Sequence, residues 1–449
     1  SMPYILRIAA VAALLVIAGL GFAQAQQGAP ADERRMAYEQ AFQETLQDPA
    51  NLDKLFRFAV LSAETGDLEG AISALERILV INPDLPRVRL ELGILYFRLG
   101  SYEAAQTYLE TALASPALPE ELRQRAAPFL AATRQRLSPS RFSGEGFLGW
   151  RYQSNANLGP SSSNILLFGA PANLNATALG TPDWGVVGSL QLHHVLDLRR
   201  QDKGMLETHL TGYANRQFQL NTTDVALFDI NTGPRFQAFE GTFDEFTLRP
   251  FLNAGYVWIY DTPYYGGLGA GLEAGVVLSE RLRNLTTVRW RQQNHPDTWY
   301  LAANSLYTGV EYSASTAFEF QLSSAVTIFA NAVGSRFEAA YTPVQSYSLW
   351  IAGGGMTFRF ADPLFHTEQA WRISLSVNEQ WWSYDKPNVA VDPNSSQSQT
   401  DTLASLTLAI PFDDRTTFQV SAGRFVRTSN LPNYAFENST AMFGVSWRF

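Results

Sequence analysis

In residues 142–449, apolar side chains alternate with polar or very small ones in about 14 stretches. A period of two is typical of β-strands with two different faces, and Phe228 and Ile230 alternate in this way with Asp229 and Asn231. Only 17% of the chain is charged and 13% is aromatic, whereas soluble domains carry about 25% charged residues. The pattern therefore predicts a transmembrane antiparallel β-barrel of about 14 strands, with lipid outside and a polar interior.

The connections between these stretches predict how the barrel is oriented. Short ones lie at 199–204, 240–244, 279–284, 321–325 and 411–415, and longer ones at 157–183, 292–304, 336–346, 385–399 and 428–438. Barrels of the outer membrane have short periplasmic turns, long outer loops and an even number of strands. We therefore expect both ends of the barrel, residues 142–449, to lie on the periplasmic side.

The last stretch predicts the strand that closes the barrel. Phe443, Val445, Trp447 and Phe449 alternate on one face. This pattern resembles the closing-strand signal that the barrel-assembly machinery of the outer membrane reads. At the edge of a soluble sheet the same strand would be open to aggregation. The expected partners are outer-membrane lipids and, during insertion, the assembly machinery.

Residues 26–137 precede the barrel and have a 34-residue period. Small residues recur in three sets at this spacing: Ala37, Ala71 and Ala105; Ala59, Gly93 and Ala127; Gly66 and Gly100. This is the tetratricopeptide period, in which small residues let paired helices pack closely. The pattern predicts full repeats at 52–84 and 85–116, a half repeat before them and a last helix at 120–137. The predicted fold class is therefore α+β multidomain, a helical solenoid followed by the barrel after a linker at 138–141.

The first 25 residues have the features of a cleaved signal peptide. Arg7 precedes a nearly continuous apolar run at 8–20, and Ala23 and Ala25 surround Gln24 as in an A-x-A cleavage site. The run is shorter than the roughly 18 apolar residues that suggest a membrane helix. We expect the mature protein to begin at Gln26 and its helical domain to lie in the periplasm.

Composition excludes several kinds of chemistry. There is no cysteine, which excludes disulfides and thiol nucleophiles, and the net charge of -9 argues against nucleic-acid binding. No serine is tied to a histidine by sequence pattern, so we predict no enzyme, no catalytic residue, no cofactor and no bound metal.

One histidine pair has an alternative interpretation. If the hairpin around residue 201 pairs residues whose numbers sum to 402, His193 faces His209 inside the barrel. Glu207 would then be a conceivable third metal ligand. A hydrogen-bonded polar pair on the interior wall is the favoured interpretation.

Charged residues are expected on the inward face of the barrel. The candidates are Arg151, Arg235, Arg249, Arg289, Arg291, Glu311, Glu319 and Arg359, joined by Arg448, Asp229 and Glu273. Mixed charge suits the wall of a water-filled passage. It equally suits salt bridges that plug or stiffen the barrel, and the sequence leaves both open.

Three segments and the domain order carry a family resemblance. GFLGWRYQSNAN opens the barrel at 146–157, INTGPRFQ follows at 230–237, and RPFLNAGYVWIYDTPYYGGLGAGLEAG occupies 249–275. Over roughly residues 50–449 the chain resembles the Slam family, the surface lipoprotein assembly modulators. The resemblance implies that the repeats capture a secreted protein or lipoprotein cargo and that the barrel conducts it to the cell surface.

Two other functions fit the same architecture. Exopolysaccharide export porins also join tetratricopeptide repeats to a barrel, although their repeat arrays are generally longer. Such a channel would need aromatic side chains on its inner face to stack on sugar rings. Most aromatic residues here alternate onto the predicted lipid face instead. A passive porin or structural barrel would leave the repeats without a purpose.

Overall fold

The computed structural model describes residues 31–199, 204–365 and 367–449. The predicted signal peptide, 1–25, and the predicted mature end at Gln26 lie outside these residues. The described chain divides into two compact units, with the boundary between Arg141 and Phe142. Within the described ranges, none of the helices combines the length and the apolar character needed to cross a membrane.

In the part of the first unit that the structure describes, six helices lie between residues 31 and 137, as the 34-residue period predicts. Its helices are α1 (Ala31–Gln47), α2 (Leu52–Thr65), α3 (Leu68–Ile81), α4 (Pro86–Leu99), α5 (Tyr102–Ala114) and α6 (Glu120–Leu137). Consecutive helices pack against one another. The predicted repeats 52–84 and 85–116 each contain one pair, α2 with α3 and α4 with α5, so the helical-repeat fold is confirmed.

Glycines and small residues make the close packing possible. Gly66 and Gly100 adopt left-handed conformations, with φ of 90° and 85°, and end α2 and α4. Gly93 faces Leu109 so closely that an added Cβ would lie 2.5 Å from its Cγ. Ala71 and Ala105 are fully buried. These positions explain the spacing of small residues in the sequence.

Two of the repeating small positions are not core positions. Ala127 is exposed, whereas its neighbour Ala126 is fully buried. Gly93 lies 34 residues before Ala127 and packs against the next helix, α5. In the described chain, α6 is followed by a strand instead of another helix. No further helix therefore covers Ala127. In α1, Ala37 is half-buried and Ala41 is the core residue.

The second unit is a closed antiparallel barrel of 14 strands. The barrel strands are β1 (Ser140–Gln153), β4 (Asp183–Asp197), β5 (Met205–Gln217), β6 (Val225–Gln237), β7 (Glu245–Ile259), β8 (Thr262–Ser279), β9 (Leu282–Asn294), β10 (Gly309–Gln321), β11 (Val326–Ala339), β12 (Tyr347–Phe360), β13 (Trp371–Tyr384), β14 (Ser398–Pro411), β15 (Thr416–Ser429) and β16 (Phe436–Arg448). Between β1 and β4, β2 (Asn164–Leu167) and β3 (Ala170–Asn173) form a separate hairpin. The predicted α+β fold with a 14-stranded barrel is confirmed, and β1 includes two residues of the predicted linker 138–141.

The two faces of the strands differ as the alternation predicts. Large apolar side chains such as Leu252, Leu268 and Trp350 point outward and are about two-thirds exposed, at 67%, 65% and 65%. Their neighbours along the strands point inward; Arg249 and Asn253 are both buried. The outer surface of the barrel is therefore apolar and its inner surface is largely polar.

Strand β16 closes the barrel by pairing with β1. Trp447 lies opposite Gly146, and its ring covers that glycine, where an added Cβ would lie 2.4 Å from the indole. Beyond the strand, the Phe449 amide donates to the Gly144 carbonyl at 3.1 Å, and the Gly144 amide donates to Phe449 at 2.9 Å. The alternating side chains of the last stretch thus belong to the strand that completes the ring.

Two connections depart from the predicted alternation of short and long. Strands β7 and β8 are joined at the end of the long connections by a turn of only Tyr260 and Asp261. Both residues have left-handed φ, 50° and 57°, as a two-residue hairpin turn requires. At the opposite end, β12 and β13 are joined by ten residues, 361–370.

Candidate functional site: the barrel interior

The first part of the candidate site is an ion-pair network on the inner wall. Arg235 donates from Nε and Nη2 to the two carboxylate oxygens of Glu207, at 2.8 and 3.0 Å. Its Nη2 also donates to Glu273 at 2.5 Å, and Arg249 approaches Glu273 at 3.3 Å. Arg249 is only 2% exposed and donates to Asn231 at 2.8 Å. Four charges on β5 to β8 thus neutralise one another within hydrogen-bond distance.

A second ion pair spans the wall from β9 to β6. Arg291 donates from Nη1 to Asp229 at 3.0 Å, and Asn253 donates to the other oxygen of that carboxylate at 2.7 Å. The arginine side chain passes over Gly267 and Gly255 on the two strands between. An added Cβ at either glycine would lie 2.4 Å from its guanidine nitrogens. The glycines therefore leave the space in which the side chain lies.

The other predicted interior residues lie on the same inward face. Arg289 donates to Glu311 at 2.7 Å, and Arg151 donates to the Tyr213 hydroxyl at 3.0 Å. Of the remaining candidates, Glu319 lies opposite Arg283 and Arg359 lies opposite Arg372 on the neighbouring strands. Arg448 donates to Glu145 at 3.2 Å. The structure brings together Arg235, Arg249 and Glu273, whereas Arg359 and Glu319 lie apart from them on β12 and β10.

Strands β14 and β15 carry a buried ion pair that was not predicted from the sequence. Arg427 on β15 donates to both oxygens of Asp401 on β14, each at 2.5 Å, and both side chains are 2% exposed. The guanidinium also lies over the rings of Phe425 and Phe436, at 5.6 and 5.3 Å. Pairing about the short turn at 411–415 would have found it, because that hairpin places residues 401 and 427 opposite each other.

The wall formed by β11 to β15 has small, uncharged residues at mid-height. They are Asn331, Gly353, Ser374, Ser376, Ser405, Thr407 and Gly423. The Ser376 and Ser405 hydroxyls hydrogen-bond across β13 and β14 at 2.6 Å. At mid-height the interior therefore has one charged wall and one wall of short polar side chains.

The barrel end that carries most of the long connections, here called the loop end, contains two apolar clusters. One comprises Val187, Tyr213, Val225, Leu227, Val257, Ile259, Tyr264, Tyr265 and Leu301. The other comprises Phe337, Tyr347, Leu349, Ile351, Trp382, Tyr384, Val391, Leu431 and Tyr434. Leu301, Val391, Leu431 and Tyr434 come from connections, so these segments pack onto inward-facing side chains of the strands. Inward aromatic residues are thus more numerous at this end than the alternation suggested.

The two histidines face each other as the hairpin register predicts, but they stack instead of forming the favoured hydrogen-bonded pair. His193 lies opposite His209 in the β4–β5 hairpin, and their rings stack with centroids 4.4 Å apart and planes 9° apart. The Nε2 atom of His209 is 3.5 Å from a Glu207 oxygen. Both imidazoles border a cavity of about 390 Å³, which Glu145 and Arg448 also line.

Comparison with known protein families supports the assignment of the helical unit to tetratricopeptide repeats. A family model described as "Tetratricopeptide repeat" matches residues 59–137, from within α2 to the end of α6. The chain therefore joins tetratricopeptide-like helices to a closed 14-stranded barrel. No curated protein matches it.

Solved structures resemble each unit separately. The type III secretion translocator chaperone SycD of Yersinia enterocolitica is 17% identical over 24% of this chain and 87% of its own, with a TM-score of 0.20. An anion-selective porin from Comamonas acidovorans is 8% identical over 69% and 99% of the two chains, with a TM-score of 0.36. A loop-deletion mutant of the Vibrio cholerae outer membrane protein OmpT is 9% identical over 70% and 100%, with a TM-score of 0.35.

Proposed function

We propose that the barrel spans an outer membrane, with its loop end toward the outside of the cell. The closed ring with an apolar outer face and a polar inner face carries this proposal, because it leaves no sheet edge exposed to lipid. Outward aromatic residues lie toward both ends: Trp150, Trp184, Trp290, Trp350 and Trp381 toward the loop end, and Phe142, Phe358, Phe412 and Trp447 toward the other. Girdles of this kind are typical at the two membrane interfaces.

We infer that the helical unit works in the periplasm and captures a protein or lipoprotein cargo, which the barrel conducts to the cell surface. Helical repeats usually serve as binding surfaces. Only Ser138 and Pro139 separate α6 from β1, so the repeats are covalently joined to the conduit and hold a captured cargo at high effective concentration near it. The predicted signal peptide, 1–25, would deliver the chain to the periplasm. This role requires no catalytic residue.

The interior is suited to a cargo that passes in an extended form. The charged wall is internally neutralised by its ion pairs, so it offers hydrogen bonds without strongly retaining either sign of charge. The opposite wall has short side chains that leave room. At the loop end, the two apolar clusters would close the passage at rest. A passive porin does not need such a closure.

The alternative of polysaccharide export finds less support in this interior. A sugar polymer would need aromatic faces open to the passage, on which its rings could stack. The inward aromatics at the loop end, such as Tyr265 and Trp382, are buried within the two clusters. We therefore retain polymer export as an outcome of the test.

The test compares a strain that lacks the gene with its parent in three measurements. Surface proteins are labelled with a membrane-impermeant biotin reagent and identified, secreted polysaccharide is quantified, and uptake of a small hydrophilic solute is measured. We expect at least one protein to leave the surface and accumulate in the periplasm, with the other two measurements unchanged. Loss of polysaccharide alone would instead support polymer export, and reduced solute uptake alone would support a porin.

A further inference from the structure

Three side chains on the neighbouring strands β4 and β5 could share a metal ion. Within the described residues, His193, His209 and Glu207 are the one group of three or more histidine and acidic residues whose ligand atoms converge, all within 4.8 Å of one another. The register of the hairpin brings His193 opposite His209, as the pairing about residue 201 predicts.

One imidazole nitrogen of the histidine pair is left without a hydrogen-bond partner. The Nε2 atom of His193 is buried and has no hydrogen-bond partner. The stacked rings place the two imidazoles face to face instead of donor to acceptor. The 3.5 Å between His209 and Glu207 is long for a hydrogen bond. Because buried polar atoms are nearly always paired, this unpartnered imidazole nitrogen is available to a ligand.

We propose that His193, His209 and Glu207 form a binding site for a divalent transition-metal ion, with Zn²⁺ as the reference ion. Two imidazoles and one carboxylate are a ligand set that holds zinc with a fourth position open. Metal–ligand bonds of about 2.0–2.2 Å require the ligand atoms to move closer together. The side chains lie on one hairpin, so rotation about their side-chain bonds provides this contraction without a change in register.

The surroundings of the three ligands support a metal site. Glu207 is held by two hydrogen bonds from Arg235, and such outer partners orient ligating carboxylates. Arg235 and Arg249 supply two positive charges, which Glu207 and Glu273 balance. The ion would thus enter a formally neutral cluster. Since both imidazoles border the 390 Å³ cavity, a water molecule or a carboxylate can reach the fourth position.

The test uses the full-length protein, purified in detergent without a histidine tag. Zn²⁺ binding is measured by calorimetry, and Co²⁺ serves as a spectroscopic probe because its visible absorption reports tetrahedral coordination. The variants are H193Q and H209Q, with H194Q as the matched control. His194 is adjacent to His193 on β4 but stacks on Phe142 at 4.3 Å, on the outer face.

We expect about one Zn²⁺ per wild-type chain, at least tenfold weaker binding in H193Q and H209Q, and unchanged binding in H194Q. Heat-modifiable migration on gels checks that each variant is folded. X-ray absorption of the zinc-loaded wild type provides a readout without any substitution and should show two imidazole ligands. Absence of binding, equal affinity in H193Q and wild type, or fewer than two imidazole ligands would overturn the proposal. It does not depend on the cargo-transport function.

Discussion

Arg291 shows how single residues shape the interior of this barrel. Its side chain starts on β9, crosses β8 and β7, and reaches Asp229 on β6. This reach is possible because Gly267 and Gly255 lie beneath the guanidinium. The arginine is 4% exposed, so its charge depends on the aspartate for compensation. The many glycines on the inner face therefore include positions that accommodate a neighbouring charged side chain.

Gly267→Ala tests this close approach. The new Cβ would lie 2.4 Å from Arg291 Nε and displace the side chain from Asp229. We expect the free energy of unfolding to fall by about 1–3 kcal/mol, measured by urea unfolding in lipid vesicles. Gly212→Ala is the matched control, since its nearest neighbour would be 3.9 Å away. Equal stability of the two variants would show that Gly267 is not required for the ion pair.

Tyr96 in the helical unit provides a prediction about pH. Its hydroxyl donates to Glu76 at 2.5 Å; this hydrogen bond, and then burial, raises the pKa of Tyr96 to about 12. An unfolded tyrosine has a pKa of about 10. The folded state therefore retains its proton more strongly. The stabilisation is complete below about pH 10 and is lost as the pH rises toward 12.

Tyr96→Phe removes this hydrogen bond and should destabilise the helical unit by about 1 kcal/mol near neutral pH. The difference from wild type should shrink between about pH 10 and 12. Thermal loss of the helical circular-dichroism signal of the full chain is the measurement. Tyr102→Phe, on the next helix, controls for loss of a hydroxyl. A difference that stays constant over this range would contradict the assigned role of Tyr96.

At the level of helices and strands, the sequence predicts the elements whose residues follow a regular period. Alternation predicts the 14 strands, and short turns fix the registers that bring His193 to His209. The 34-residue period predicts the helix pairs. The turn at Tyr260 and Asp261 was not predicted, because it lacks the Asn-Gly or Asp-Gly pair that usually marks such turns. Ala127 keeps the 34-residue spacing but is exposed, because the spacing alone does not show whether another helix packs against a position.

Strand β16 offers a matched test of its two faces. Phe443→Lys places a charge on the outer face, where Phe443 stacks on Trp150 at 5.7 Å. In a bilayer such a charge costs about 2–4 kcal/mol near the midplane. Thr440→Lys adds the same charge on the inner face of the strand and should be tolerated. Heat-modifiable migration should show folded barrel for Thr440→Lys and markedly less for Phe443→Lys; the opposite order would contradict the orientation of the strand.

At the scale of the whole molecule, the barrel interior differs from one wall to the other and from one end to the other. At mid-height, charged residues line β5 to β10 and small polar ones line β11 to β15, and the loop end holds two apolar clusters. The sequence could place single residues on the inner face. It could not predict the clusters, because Val391 and Tyr434 reach them from irregular connections with no period.

The apolar clusters predict a barrel with little ion conductance at rest. Trp382→Ala removes a large buried side chain from the second cluster and should increase the conductance of single barrels in planar bilayers. Trp381→Ala is the matched control, because the adjacent tryptophan points outward and is 41% exposed. Wild type and Trp381→Ala should remain nearly closed. High conductance of the wild type would contradict closure by these clusters.

Deletion of residues 31–137 tests most directly the claim that the helical repeats supply cargo to the barrel. The cargo is the protein that leaves the surface in the strain that lacks the gene. Its fraction accessible to surface biotinylation is measured in cells that carry the intact chain, the deletion or no chain. We expect the truncated barrel still to insert, as shown by heat-modifiable migration, while the cargo remains in the periplasm as in cells without the chain. If the truncated barrel delivered as much cargo to the surface as the intact chain does, this claim would be contradicted.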